Sequence, residues 1–148
     1  MFDRLEKLIG KAKLDEIKAS NVLLVGVGGV GGTCLETLVR SGFNSITVVD
    51  YDRFEESNLN RQILSNVNVI NKKKVLVAAS RAKLINPDIN IKLKDIFLDE
   101  ENIKYDPMVV SSVELPKKGL KIISSMMPVP SVAGIYMASY VINDIIKK

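Results

Sequence analysis

The chain has no histidine, a single cysteine and few aromatic residues (5%) among its 148 positions. Each scarcity removes something. Without histidine, no side chain has an ordinary pKa near neutrality for acid–base work. With Cys34 alone, no intrachain disulfide can form, which suits a reducing, cytoplasmic setting. The opening residues Phe2, Asp3, Arg4 and Glu6 do not look like a signal sequence, in keeping with that setting. Long apolar runs are missing too. The longest, from about Val132 to Ile142, contains Ser139 and ends at Asn143 and Asp144. A helix that crosses a bilayer needs ~20 apolar residues. This run is therefore expected as a buried helix, core or dimer interface, and no transmembrane segment is expected. Neither charge sign dominates: the net charge is +4. The excess sits in Lys72–Lys74, Lys117–Lys118 and Lys147–Lys148, which read as solvated surface, with an RNA-facing role left open.

What is present is the balance of a folded protein, 47% hydrophobic and 26% charged. The length suits one domain with one core, residues 1–148. Phe2–Ile9 spaces its apolar residues as a helix does, and Leu14–Ala19 continues that character. Val22–Val25 is a short buried strand by length and β-branching. Gly26–Gly32 reads as a turn, Thr33–Arg40 as a helix stopped at Gly42, and Ile46–Val49 as a second buried strand. This is a βαβ unit with parallel strands. A polar stretch follows, then a helix over about Lys72–Leu84 that stops at Asn86-Pro87. Ile89–Leu93 alternates as a strand near an edge. Val109–Val113 reads as another strand, Leu115–Gly119 as a loop and Val132–Ile146 as a last helix, mostly buried, with Val129-Pro130 forcing an extended approach. The expected fold class is α/β, Rossmann-like, with a shortened, mostly parallel sheet and helices on both faces.

Gly26-Val27-Gly28-Gly29-Val30-Gly31 matches G-x-G-x-x-G between a predicted strand and a predicted helix, the context that gives the pattern meaning. The first glycine permits a tight turn, the second lets backbone N–H groups approach a phosphate, and the third lets helix and strand pack. The helix start adds unpaired N–H donors. Asp50, ending the second strand, can accept the ribose hydroxyl protons. Asp52 either supports it or is a plain loop acid. To this point NAD and ATP fit equally. Ser57-Asn58-Leu59-Asn60-Arg61-Gln62 favours ATP: a guanidinium such as Arg61 can fork two phosphate oxygens, and asparagine amides can orient others. Lys74, at the next helix start, reads either as a mobile charge for a triphosphate or as a surface lysine. Cys34, on the apolar side of the first crossover helix, reads as a small buried thiol.

The V-G-x-G-G-V-G loop, the D-Y-D strand end, S-N-L-N-R-Q and the later lysine together resemble the ubiquitin-activating-enzyme-like superfamily of ThiF type. Met1–Gly10, Val113–Gly119 and Ser124–Ile146 further resemble its tRNA threonylcarbamoyladenosine dehydratase branch. The resemblance implies ATP over the glycine loop, with Gly26, Gly28, Gly29 and Gly31 at the phosphates and Asp50 at the ribose. It assigns Asn58, Arg61 and Lys74 to the triphosphate and its Mg2+ region, and Arg4 to insertion into a partner's site in a homodimer. Asp52, Ser57 and Asn60 complete the expected nucleotide set. Arg61, Lys74 and Arg4 are the expected catalytic residues. The implied chemistry is ATP-dependent adenylation of a carboxylate, in that branch the carboxylate of threonylcarbamoyladenosine in tRNA, which is then cyclised. The alternatives are a sulfur-carrier-protein adenylyltransferase and a non-catalytic, ATP-binding or dimerising remnant. One departure matters. The D-A-x-D motif that supplies the family's magnesium ligand does not occur, and Tyr105-Asp106 runs straight into Pro107. The chain reads as internally shortened near Asp106-Pro107. It also lacks the loop cysteine that several members of the family use, and the missing strands would leave an open sheet edge.

Overall fold

A computed structural model describes residues 1–97 and 128–147. Two short helices come first, α1 (Asp3–Ile9) and α2 (Lys11–Ala19), separated by Gly10 at a φ of 84°. The continuous helical character expected there is thus broken at the one residue free to take that angle. The chain then enters β1 (Asn21–Val25), α3 (Gly29–Arg40), β2 (Ser45–Val49), α4 (Lys74–Ile85) and β3 (Asn90–Lys94), and α5 (Pro128–Ile146) is the last described element.

The three strands form one parallel sheet in the order β1-β2-β3. Register puts Val22, Ile46 and Ile91 in one row and Leu24, Val48 and Leu93 in the next, all on one face. Leu24, Ile46 and Val48 are buried there with Leu35, Leu38 and Val39 of α3 and Val75, Ala78 and Ala82 of α4. Both crossover helices therefore cover that face, and they pack on each other. The opposite face carries Lys92 and Lys94, which are exposed, and Val25, also exposed. This is the Rossmann-like α/β class expected, with a short, fully parallel sheet, and among the described residues its two crossover helices share one face rather than dividing between two.

Two boundaries differ from expectation for physical reasons. α3 begins at Gly29, so most of the glycine stretch is helical rather than turn. Three glycines in a first turn lower intrinsic helix stability, and packing of that turn against its neighbours outweighs the cost. α5 begins at Pro128 and contains Pro130 in its first turn. The first N–H groups of a helix have no partner inside it, so prolines there remove nothing.

α5 is also less buried than its composition suggests. Pro130, Gly134 and Ala138 lie buried on one stripe, spaced at successive turns, whereas Val132, Ile135, Tyr136 and Tyr140 are exposed. The stripe faces α3 so closely that a Cβ on Gly134 would stand 2.3 Å from the Val30 carbonyl oxygen. The strand expected over Val109–Val113, the loop Leu115–Gly119, the Val113–Gly119 resemblance and the junction at Asp106-Pro107 lie outside the described residues.

Candidate functional site

The parallel strands end together at Val25, Val49 and Lys94, and the chain turns there into the functional segments. Gly26 takes a φ of 79°, open to glycine at little cost, and donates its N–H to the Val49 carbonyl at 2.7 Å. Asp50 then acts on the loop directly. Its Oδ2 accepts the Val27 N–H at 2.8 Å, and its Oδ1 accepts the Asp52 N–H at 2.9 Å. One carboxylate thus pins the glycine loop to the end of β2. Each oxygen keeps a second lone pair for a ligand hydroxyl.

The glycines divide their work. A Cβ on Gly31 would sit 1.8 Å from the Gly26 carbonyl oxygen, so this position serves the close approach of helix and loop. Gly29 faces Pro130 of α5, with 3.0 Å to its Cβ, and the Arg61 carbonyl. Gly28 has only the Gln62 amide near it, at 3.8 Å, and it lines an open cleft. No side chain caps α3, so its first N–H groups remain available to an anion.

That cleft, about 310 Å³, is lined by Gly26, Gly28, Asp50 and Asp52, with Lys74 and the Tyr51–Phe97 pair beside them. Its volume lies at the lower end of small-molecule sites, which run from ~300 Å³ upward. The two rings meet edge to face at 5.0 Å, and with Val25, Val49 and Ile96 they give one side an apolar wall. A larger cleft of about 770 Å³ runs along α4 past Lys72, Leu76 and Arg81, and none of the expected site residues lines it.

Lys74 is not a surface lysine. It is 5% exposed at the start of α4, and its Nζ donates to Asp52 Oδ2 at 2.6 Å. Its backbone N–H donates to the Asp52 carbonyl at 2.9 Å, and its ammonium lies 5.8 Å from the centre of the Phe54 ring. The Lys74 hydrogen bond holds the Asp52 carboxyl below its usual pKa. The Lys72–Lys74 cluster therefore splits: Lys72 is exposed, Lys73 pairs with Asp95, and Lys74 turns inward.

The S-N-L-N-R-Q segment is not gathered into the cleft. Arg61 folds back, donating to the Ser57 carbonyl at 2.6 Å and to Asn60 Oδ1 at 2.9 Å. Asn58 is buried, and its Oδ1 accepts the Glu55 N–H at 3.1 Å, so its side chain shapes the loop. Ser57 and Asn60 are exposed beside it, and Arg4 is exposed on α1. The structure thus brings together Gly26, Gly28, Asp50, Asp52 and Lys74. It leaves Arg4, Gly29, Gly31, Ser57, Asn58, Asn60 and Arg61 outside the cleft lining.

For the Mg2+ that the resemblance implies, the described residues hold no preformed cluster of ligands. Among the described residues no group of three or more acidic, histidine or cysteine side chains could hold a metal. Both oxygens of Asp50 and both of Asp52 already accept internal donors.

Sequence reasoning did not identify Tyr51, Ile96 and Phe97 as cleft lining, or Pro130 and Gly134 as supports of the glycine turn. The only signal for Gly134 is a lone glycine inside an apolar helix, which marks close backbone contact.

A glycine turn that starts a helix, tied to a carboxylate at the end of the next parallel strand, is the arrangement found in proteins of the Rossmann class. The chain belongs to the ThiF family, whose model matches residues 2–115. It is 38% identical over 100 residues to the tRNA threonylcarbamoyladenosine dehydratase of Bacillus subtilis, covering 68% of this chain and 39% of that protein. It is 33% identical over 117 residues to the sulfur carrier protein adenylyltransferase of Thermus thermophilus, covering 76% of this chain and 43% of that protein. Among solved structures, the Escherichia coli dehydratase in complex with ATP matches at a TM-score of 0.67 and 33% identity, covering 68% of this chain and 42% of that one. The chain therefore spans less than half the length of these relatives.

Proposed function

We propose that the chain binds ATP in the cleft over the β1–α3 loop and serves ATP-dependent adenylation of a carboxylate. The carboxylate is that of threonylcarbamoyladenosine in tRNA, activated so that it closes to the cyclic form. The observation that carries this reading is the Asp50-pinned glycine loop with Lys74 buried at the same cleft. It stands in a chain one third identical to a dehydratase solved with ATP.

In this reading the N–H groups at the start of α3 and the exposed backbone at Gly28 receive phosphate oxygens. Asp50 takes the ribose hydroxyls on its remaining lone pairs. The apolar wall of Val25, Val49 and Tyr51 with Phe97 receives the base. Lys74 exchanges Asp52 for phosphate oxygens and neutralises charge as pyrophosphate leaves, when the substrate carboxylate attacks the α-phosphorus. Arg61 joins only by leaving Ser57 and Asn60. A homodimer, with Arg4 reaching the partner's site, and a cytoplasmic setting belong to the same proposal, as does a single domain shortened near Asp106-Pro107.

A second reading is supported by specific observations. Arg61 and Asn58 are engaged within their own loop, and the D-A-x-D motif does not occur. These fit a non-catalytic nucleotide-binding remnant. The sulfur-carrier-protein adenylyltransferase alternative, with a relative 33% identical over 117 residues, differs from the main reading in its substrate. Calorimetric titration with ATP, with NADH as control, tests the common part. ATP binding in the micromolar range with little NADH binding supports the cleft assignment, and binding of neither would sink it. Pyrophosphate exchange into ATP, stimulated by threonylcarbamoyladenosine-bearing tRNA, then separates enzyme from remnant.

A further inference from the structure

Gln62 is 7% exposed, yet its Oε1 is fully buried without a hydrogen-bond partner. The backbone around it is well tied. Its N–H donates to the Asn58 carbonyl at 3.0 Å, and its carbonyl accepts the Ser65 N–H at 2.9 Å and the Ser65 hydroxyl at 2.6 Å. Only the side-chain oxygen is buried and unsatisfied. It stands over the start of α3, with Nε2 3.8 Å and Cδ 3.9 Å from where a Gly28 Cβ would be.

An unpaired, buried amide oxygen is a poor way to fill space. Its desolvation costs about 1–3 kcal/mol, and a methionine of similar length would carry no such cost. The neighbours share the lack of partners: α3 has no side-chain cap, and Gly28 opens onto the cleft. An amide donates from its nitrogen and accepts at its oxygen, two atoms set about 2 Å apart. Placed between an uncapped helix start and an anion, it can serve both.

We propose that Gln62 is a phosphate-binding residue of this site. Its Nε2 donates to a phosphate oxygen above Gly28, and its Oε1 accepts from an N–H group at the start of α3. The inference rests on the ATP reading and deepens it, because neither the glycine motif nor the resemblance assigns Gln62 a ligand role.

The test uses the full chain with Gln62→Met and Gln62→Glu, titrated by calorimetry with ATP and separately with adenosine. For Gln62→Met, ATP affinity is expected to fall about tenfold, the effect of one charge-assisted hydrogen bond. Adenosine affinity should stay level, and the ligand-free urea midpoint should hold or rise. Gln62→Glu should bind ATP more weakly still, with partial recovery at higher salt. ATP affinity within twofold of wild type in Gln62→Met, or an equal fall for ATP and adenosine, overturns the proposal. A measurement on the wild type guards against misfolded variants. The Gln62 side-chain amide resonance should move on adding ATP or pyrophosphate and not on adding adenosine, and an unmoved resonance overturns the proposal as well. No ATP binding by the wild type would instead overturn the cleft assignment, and this inference with it.

Discussion

Gly28 and Gly31 share one motif, yet a methyl group added at each meets different surroundings. At Gly31 it would lie 1.8 Å from a backbone oxygen that cannot move without opening the loop. Gly31→Ala should therefore cost about 3 kcal/mol or more, read as a lower urea midpoint. At Gly28 the nearest atoms are 3.8 Å away. Gly28→Ala should fold within about 1 kcal/mol of wild type and lose ATP affinity by an order of magnitude or more, because only the ligand would meet the methyl. Equal stability losses in the two variants would contradict this division. Cys34 offers a second test at the same scale. It is 3% exposed, and burial pushes its thiol up to about 11 from 9.0. The folded state therefore favours the neutral thiol. Its contribution is fully present below about pH 9 and is lost as pH rises toward about 11. A Cys34→Ala chain should lose that part of the alkaline weakening in urea titrations. In the wild type, iodoacetamide at pH 8 should label Cys34 only after denaturant is added.

At the scale of elements, the regular part was readable because period and punctuation agree. Val22–Val25 and Ile46–Val49 are too short and apolar to be anything but buried strands, and Asn86-Pro87 ends a helix by removing an N–H. The placement of Asp50 and the glycines at one end of the sheet was readable, because strand and turn punctuation fix it. Lys74 was ambiguous, because burial of a lysine depends on a partner, Asp52, that sits across a loop in sequence. The amides of Asn58 and Asn60 are harder to assign from sequence, because loop capping and ligand binding use the same donors and acceptors. The Lys74–Asp52 pair ties α4 to the end of β2, and its removal can be measured. Asp52→Asn leaves a buried ammonium with a weaker acceptor and should cost about 1–2 kcal/mol. That is toward the low end for a broken pair, because the carboxylate side is 48% exposed. Asp52 has a depressed pKa in the fold, so its contribution is present above the ordinary carboxylate range and is lost as pH falls through the lower value. The gap between wild type and Asp52→Asn should thus close in acid. A gap independent of pH would show that the pair does not act electrostatically.

At the scale of the whole molecule, what stands out is the surface left uncovered. Val132, Ile135, Tyr136 and Tyr140 form an exposed apolar face on α5, opposite the stripe that meets α3. Among the described residues β1 pairs only with β2. Exposed apolar faces of this kind lose water contact most readily against another protein surface. Within the homodimer reading, sedimentation velocity should show a monomer–dimer equilibrium at micromolar concentration. Tyr136→Lys combined with Tyr140→Lys should shift it toward monomer, and the far-ultraviolet spectrum should not change, since both positions are exposed. The same variant decides whether the dimer matters to the site. If Arg4 reaches the partner's cleft, dissociation should weaken ATP binding to the extent that Arg4→Ala does, and the two effects should not add. If the monomeric variant binds ATP as tightly as wild type, the cleft built from Gly26, Gly28, Asp50 and Lys74 suffices alone, and Arg4 is a solvated charge on α1.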